Sequence, residues 1–261
     1  METNIARLRP EQIIAQLKKR PVIYVPVAPL EWHGPHLPLG VDPINAERTA
    51  QAVCARTGGL VWPTLFWGTE RERPPDVLKN LGFGPDQYIV GMDFPNNTLP
   101  SGYCREEIFA VVIRETLRLV RRMGARLAVV VNGHGAVNHN QVLQRLAAEI
   151  GHTTDLKVYV RIAFPLADIK AGSIAHAGSD ETSLMMHYDP DAVDLDRLPP
   201  RKTPIRYQDF AIVDGPGFDG KGRPDKVVAD DPRTKASVQK GRKIFKTVVD
   251  EIAREVEALL T

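Results

Sequence analysis

Short continuous apolar runs alternate along this chain with segments in which apolar residues recur at helical spacing. Runs without polar alternation are typical of strands that are covered on both faces. They predict four β-strands, at about 22–28, 60–66, 127–131 and 156–162. The helical spacing predicts helices at about 10–19, 43–56, 105–122, 138–150 and 234–260. Because strands alternate with helices, we expect an α/β fold of three layers, αβα, around a mostly parallel central sheet.

Two long segments, 68–104 and 188–232, show neither pattern. Both are rich in proline, glycine and aspartate, and both exceed ordinary loop lengths. Loops of that length usually carry function or take part in assembly. No internal repeat, low-complexity tract or dividing linker is visible. We therefore expect a single domain over residues 1–261.

The composition argues against several classes of partner. The 261 residues include 34 basic and 32 acidic ones, and this near balance gives no support for binding nucleic acid or an anionic membrane. The first residues lead into charged sequence without a signal-peptide core, and the apolar run at 127–131 is far too short to span a bilayer. The two cysteines, Cys54 and Cys104, form no paired motif, which favours reduced thiols in a cytoplasmic protein.

The first apolar run is followed by a segment, 31–42, that holds four side chains able to bind a metal. Glu31 and His33 are two residues apart, and an extended backbone places them on one face. Asp42 follows a turn rich in glycine and proline, so it can fold back toward them. Carboxylate and imidazole together suit Zn²⁺, Mn²⁺ or Fe²⁺. The alternative role for Asp42 is to cap a helix that starts at Pro43, which is compatible with ligation through its other oxygen.

His134 lies between two glycines directly after the third apolar run. Side chains that follow parallel strands meet at one edge of the sheet, so we expect His134 close to His33. Gly133 and Gly135 allow a close approach of the backbone. A lone histidine after a strand is more often structural, whereas two histidines that each follow a buried strand favour a shared metal.

A third polar segment, 176–183, enters a predicted short helix. Its acidic residues, Asp180 and Glu181, would lie in the first turn, where they complement the helix dipole. Glu181 could equally point into the cleft as a metal ligand, and His176 could act there as an acid or base. This segment alone does not decide between the two roles.

Other sequence patterns carry less information. The chain has no phosphate-binding P-loop, no His-Glu-x-x-His and no Gly-x-Ser-x-Gly motif. The glycines of 214–222 do not join a clear strand to a helix, so we interpret that segment as a turn-rich loop. Arg71, Arg73 and Lys79 could supply a basic pocket for a phosphorylated substrate, or they could simply be solvated.

The three polar segments, in this order, resemble the creatininase family of metal-dependent amidohydrolases. The resemblance covers nearly the whole chain and implies a creatininase-like α/β fold with two divalent metal ions. By the family pattern, Glu31 and His134 would bind one ion, His33 the other, and Asp42 would bridge them. Glu181 matches an acidic position near the second ion, and His176 matches a histidine proposed for proton transfer.

The sequence departs from the family pattern at one position. Creatininase has a glutamate two residues after the equivalent of His134, near its second metal, and this chain has Ala136 there. The departure counts against creatinine as the substrate and gives more weight to Glu181 as a ligand. The resemblance also implies assembly as a homohexamer, in which the long irregular segments could make contacts.

The expected activity is hydrolysis by a metal-activated water that attacks a carbonyl of a small molecule, with cleavage of a cyclic or formyl-type amide C–N bond. The family also offers deformylation of a pyrimidine nucleotide precursor and cleavage of a peptide in redox-cofactor maturation. A further alternative is hydrolytic C–C opening of a cyclic keto-inositol, which needs the same polarised carbonyl. A non-catalytic metal or small-molecule binding protein would retain metal but hydrolyse none of these compounds.

Overall fold

The computed structural model describes residues 2–87, 89–93, 99–208, 211–212, 226–227 and 230–261. Four strands form the main sheet: β1 (Val22–Val27), β2 (Leu60–Val61), β3 (Leu127–Asn132) and β4 (Lys157–Ile162). The helices are α1 (Pro10–Lys19), α2 (Val41–Thr57), α3 (Pro75–Leu81), α4 (Glu106–Arg122), α5 (Val137–Thr153), α6 (Leu166–Ala171), α7 (Ser179–Tyr188), α8 (Pro232–Lys235) and α9 (Val238–Leu260). A small antiparallel sheet joins β5 (Arg206–Gln208), β6 (Ala211–Ile212) and β7 (Lys226–Val227).

The main sheet is parallel and has the strand order β2-β1-β3-β4. The predicted α/β fold with a parallel sheet is therefore confirmed. The second strand is shorter than the predicted 60–66, because Pro63 has no N–H to donate to a neighbouring strand. Hydrogen bonds from the N–H of Trp62 to the Tyr24 carbonyl and from Leu65 to Pro26 still hold that segment beside β1.

Helices cover both faces of the sheet and form the outer layers. Every residue of β1 and β3 is buried, as expected for strands packed on both sides. On one face, Ile23 packs with residues of α1, α4 and α5, among them Phe109. On the other face, Tyr24 packs with residues of α2 and α9, among them Val53 and Val248. These two cores confirm the three-layer αβα arrangement.

The last helix begins later than the predicted 234. A short α8 ends at Lys235, and Ser237 then adopts an extended backbone with its side chain accepting from the Lys240 N–H. Serine in this capping position satisfies a free N–H of the first turn and fixes the start of α9. The predicted helix at 234–260 is therefore two helices with a break at Ser237.

No helix within the described ranges has the length and apolar content that crossing a bilayer requires. Both Cys54 and Cys104 are free cysteines. The glycine-rich segment 214–222, which we interpreted as a turn-rich loop, lies outside the described residues.

Candidate metal centre

The predicted ligands lie where the carboxyl ends of β1 and β3 meet. The strand β2 pairs with one edge of β1, and β3 pairs with the other edge. The chain therefore reverses its direction across the sheet between β1 and β3, which is the topological switch point. Glu31 and His33 follow β1, and His134 follows β3. The Glu31 N–H donates to the Leu39 carbonyl at 2.9 Å, so the segment 31–42 turns back and delivers Asp42 to the same place.

Asp42 lies between the two histidines. Its Oδ1 is 3.2 Å from His33 Nε2, and its Oδ2 is 3.1 Å from His134 Nδ1. The alternative role of Asp42 as a helix cap is wrong, because α2 begins at Val41 after Gly40, with no side-chain cap. Asp42 instead lies in the first turn of α2, and each of its carboxylate oxygens faces a different imidazole.

Two trios of potential ligands share the Asp42 carboxylate. Glu31 Oε2 is 3.2 Å from His134 Nδ1 on one side, and Glu181 Oε2 is 3.6 Å from His33 Nε2 on the other. Within each trio, one ligand atom per residue lies within 4.8 Å of the others. All five side chains are buried. The arrangement offers two adjacent sites, each with carboxylate and imidazole donors.

The two ring nitrogens of His33 indicate whether a cation fits between the carboxylates of Asp42 and Glu181. His33 Nδ1 is 3.0 Å from the Glu31 carbonyl, which can only accept, so Nδ1 donates and carries the proton in the neutral ring. The lone pair of Nε2 then points toward carboxylates of Asp42 and Glu181, and this buried nitrogen has no hydrogen-bond partner. A lone pair facing carboxylates is stabilised by a cation between them, so the donor set fits a divalent metal.

The pKa shifts of Glu181 and His33 also favour a cation in the site. Burial raises the pKa of the Glu181 carboxyl to about 8, and the negative charges of Asp42 and Glu31 add to the shift against the opposing effect of His33. Burial alone would lower the pKa of His33, but Asp42 and Glu181 outweigh it and raise the pKa to about 10. Without a metal, the carboxylates can be neutralised only by binding protons at these groups.

His176 is next to the two trios. Its Nε2 is 2.6 Å from the Trp32 carbonyl and therefore donates to it, while its Nδ1 is 3.9 Å from Glu31 Oε2. The ring lies 4.3 Å from the ring of His33 and remains 12% exposed. Burial and the nearby His33 lower the pKa of His176 to about 4, which favours the neutral ring. A neutral His176 with a fixed Nε2–H leaves Nδ1 able to take up a proton.

The start of α7 separates its two acidic residues. Asp180 forms an ion pair with Lys240 at 2.7 Å, away from the histidines. Glu181 faces inward, where its Oε2 also accepts from the Ala177 N–H at 2.6 Å. Ala177 adopts φ 54, a left-handed conformation that is uncommon for residues other than glycine. That conformation aims its N–H at the carboxylate and fixes the orientation of Glu181.

Sequence reasoning missed two residues at this site. Glu70 is 3% exposed, and its Oε2 is 3.6 Å from His134 Nε2. The Tyr103 hydroxyl donates to Glu31 Oε1. Both residues come from the segment 68–104, whose length and composition indicated a functional loop but gave no signal for either residue. The alanine at position 136 lies in the wall of the same cavity and adds no carboxylate.

A cavity of about 710 Å³ opens onto the trios. Four apolar side chains from β4, α6 and the segments beside α6 form one wall: Ile162, Phe164, Ile169 and Ile174. Of the three basic residues considered for a phosphate pocket, Arg71 lines the cavity. Arg73 instead donates to the Gly91 carbonyl. The fourth metal-capable residue of the segment 31–42, His36, makes a hydrogen bond of 3.1 Å to Thr182 and belongs to neither trio.

Comparison with known proteins places the chain in a family. The model of the family Creatininase, described as creatinine amidohydrolase, matches residues 6–256. A mycofactocin precursor peptide peptidase of Mycobacterium ulcerans (strain Agy99) is 29% identical over 253 residues, covering 90% of this chain and 84% of that protein. A creatinine amidohydrolase of Pseudomonas putida is 28% identical over 193 residues, covering 68% of each.

Solved structures show the same fold. One described as Creatininase Mn has a TM-score of 0.70 at 22% identity, with coverage of 99% of this chain and 98% of that chain. A likeness at this identity concerns the fold alone. The match of the family model is the stronger finding, because it spans nearly the whole chain. This protein is therefore a member of the creatininase family of hydrolases.

Proposed function

We propose that this protein is an amide hydrolase that uses two divalent metal ions held on either side of Asp42. The observation that carries the proposal is the Asp42 carboxylate, with one oxygen facing each of two imidazoles. Relatives named creatinine amidohydrolase and precursor peptide peptidase support an amide C–N bond as the one cleaved. The solved relative described with Mn supports that metal, and the donor set also suits Zn²⁺ or Fe²⁺.

The two trios define which residues would hold each ion. Glu31, Asp42 and His134 would hold the first, and His33, Asp42 and Glu181 the second. Such ions, when bound, lower the pKa of a water in the site and polarise the substrate carbonyl. The remaining steps depend on residues of the protein that move protons and shape the pocket.

His176 is the proposed acid and base. The Trp32 carbonyl holds the Nε2 proton in place, so Nδ1 is the nitrogen that exchanges a proton with the reacting groups. It would accept a proton from the attacking water and return it to the leaving nitrogen. The partial exposure of this ring toward the cavity supports direct access to the substrate.

The cavity favours a substrate larger than creatinine. Its volume of about 710 Å³ is in the range of sites that enclose whole drug-sized ligands. The apolar wall that includes Phe164 and Ile169 suits an apolar group attached to the amide. A substituted cyclic or formyl amide, or the end of a peptide, fits that description. A cyclic keto-inositol, with a hydroxyl on most carbons, finds few partners along this wall, so C–C cleavage is the weaker candidate.

We also propose the domain organisation, the location, the class of substrate and the assembly. We propose a single domain over residues 1–261, which the match over 6–256 supports. We propose a cytoplasmic protein, supported by the two free cysteines. The substrate is a small molecule or peptide, and the assembly a homohexamer.

The test begins with metal content per chain of protein purified without added metal or chelator. We expect about two ions of Mn, Zn or Fe in the wild type and a marked loss in Asp42→Ala. Glu47→Ala is the matched control, because this glutamate is on the same helix and contacts Gln51. Equal metal content in wild type and Asp42→Ala would refute the shared site.

The second part of the test is hydrolysis of a substrate panel. It compares creatinine, N-formyl compounds, short peptides with apolar ends and a cyclic ketone. Metal-dependent release of an amine from an amide supports the proposal. Retained metal with no hydrolysis of any amide would favour a binding protein, and cleavage of the ketone alone would favour the C–C reaction.

A further inference from the structure

We propose that Glu70 is a positioning residue that orients His134 by accepting a hydrogen bond from its Nε2–H. This inference rests on the proposed function, in which His134 Nδ1 binds a metal ion. Glu70 is not part of the three polar segments that carry the family resemblance. It comes from the long segment 68–104 and belongs to neither trio.

The two nitrogens of His134 face different carboxylates. Nδ1 lies 3.1 Å from Asp42 Oδ2 and 3.2 Å from Glu31 Oε2, toward the first trio. Nε2 lies on the far side of the ring, 3.6 Å from Glu70 Oε2. A neutral imidazole that gives the lone pair of Nδ1 to a cation carries its proton on Nε2. In the metal-bound state, Nε2–H therefore points toward the Glu70 carboxylate.

Burial makes this contact favourable, above all for His134. His134 Nε2 is buried with no hydrogen-bond partner, and the Glu70 side chain is only 4% exposed. A buried donor that stays unpaired loses free energy. The Glu70 carboxylate is already paired with Arg71 through Oε1, and the contact gives its Oε2 a partner as well. A movement of about half an ångström brings the pair to hydrogen-bond distance.

The backbone around Glu70 is anchored to the helix that follows His134. Asn138, in the first turn of α5, donates from Nδ2 to the Glu70 carbonyl at 2.9 Å. The neighbouring Thr69 N–H donates to His139 Nδ1 at 3.3 Å, also in α5. The Glu70 carboxylate itself accepts from the Arg71 N–H at 2.8 Å through Oε1, which leaves Oε2 toward His134. These bonds hold Glu70 in register with the histidine that it orients.

A carboxylate behind a metal-binding histidine fixes the ring and makes its ligating nitrogen more basic. Loss of such a partner typically weakens metal affinity by about 10–100-fold. We therefore expect Glu70 to affect metal affinity even though it does not touch the ion. A glutamine at this position keeps an acceptor oxygen but loses the charge, so its effect should be smaller than that of an alanine.

The test compares the Zn²⁺ dissociation constants of wild type, Glu70→Gln and Glu70→Ala, measured by competition with a chromogenic chelator. We expect affinity about 10–100-fold weaker in Glu70→Ala and partial rescue in Glu70→Gln. Glu72→Gln is the matched control, because that residue lies two positions away on the same segment and belongs to neither trio, and it should bind as wild type does. The thermal midpoint of each metal-free variant shows whether the fold has changed.

Three outcomes would overturn the inference. One is Glu70→Ala with wild-type Zn²⁺ affinity. The second is equal losses in Glu70→Gln and Glu70→Ala without any rescue. The third is a loss of Zn²⁺ affinity in Glu70→Ala that is accompanied by a lowered thermal midpoint of the metal-free variant, because the fold itself would then have changed. A wild type that binds no Zn²⁺ would instead refute the proposed function itself, so the two failures are distinguishable.

Discussion

The backbone of residues 31–33 supplies ligands and also sets the protonation of two imidazoles. The Glu31 carbonyl accepts from His33 Nδ1, and the Trp32 carbonyl accepts from His176 Nε2. Each bond fixes which nitrogen carries the proton and leaves the other nitrogen toward the site. A single extended stretch therefore prepares one histidine for ligation and another for proton transfer.

The proposed role of His176 predicts a separation of chemistry from metal binding. A third group of possible ligands joins His176 to Glu31 and His33, but those two residues already belong to the trios that share Asp42. We therefore expect His176→Ala to retain the metal of the wild type. Turnover should fall by roughly 10²–10⁴-fold, the usual contribution of a positioned acid or base. Metal content and kcat on the best amide of the panel are the measurements. His152→Ala, at an exposed position of α5, is the control; unchanged turnover in His176→Ala would remove this residue from the mechanism.

Gly133 and Gly135 flank the same histidine but differ in their surroundings. A Cβ on Gly133 would collide with the backbone carbonyl of Asp42, whereas one on Gly135 would meet no atom within 4 Å. We predict that Gly133→Ala displaces Asp42, lowers the metal content and destabilises the fold by about 1–3 kcal/mol. Gly135→Ala should leave both unchanged. Urea unfolding and metal analysis test the pair, and equal behaviour of the two variants would contradict the prediction.

At the scale of elements, the packing of α7 on α9 positions Glu181. A Cβ on Gly241 of α9 would overlap the Ser183 carbonyl of α7, so these helices touch through their backbones. We predict that Gly241→Ala destabilises the protein by about 1–3 kcal/mol and weakens metal binding on the side of Glu181. Gly151→Ala in α5, where a Cβ meets nothing within 4 Å, should instead stabilise by up to about 1 kcal/mol. Stabilisation by Gly241→Ala would contradict the close approach.

The elements show how much the sequence could predict. Strands β1 and β3 were predicted because short continuous apolar runs are typical of strands buried on both faces, and the meeting of His33 and His134 followed from them. The return of Asp42 toward Glu31 and His33 could be predicted, because glycine and proline mark the turn at 34–40. Its alternative role as a helix cap was wrong, because α2 begins before Asp42. Glu70 and Tyr103 could not be predicted, because their positions depend on long-range contacts of a segment without periodicity.

At the scale of the molecule, several large apolar side chains are left exposed. They include Phe66, Trp67, Ile108 and Val111, with exposed fractions of 42–54%. Exposed apolar patches often mark contacts between subunits. We predict a homohexamer with a mass of about six times 29.0 kDa by light scattering during gel filtration. Val111→Glu should lower that mass, whereas Glu115→Gln, one turn further along α4, should not; a 29.0 kDa wild type would contradict the prediction.

The stability of the whole molecule should depend on metal, because four carboxylates are buried at one edge of the sheet: Glu31, Asp42, Glu70 and Glu181. Removing the ions leaves only protons, bound by Glu181 and His33, to offset their mutual repulsion. A site filled at 100 times its dissociation constant stabilises the fold by about 2.7 kcal/mol, which corresponds to about 5–10 °C in Tm for a chain of this size. We therefore predict that chelation lowers Tm by at least this amount, and that Asp42→Ala makes Tm insensitive to chelator.

The thermal unfolding curves that give these Tm values also test the domain organisation. The two trios draw their residues from positions 31 to 181, and α9 closes over the sheet from the far end of the chain. Metal bound there should stabilise all of these elements together, so each curve should show one transition at every metal level. Two separated transitions, only one of them shifted by chelator, would contradict the single domain over residues 1–261. An unshifted single transition in a protein that retains two ions would instead mean that the ions also bind the unfolded chain.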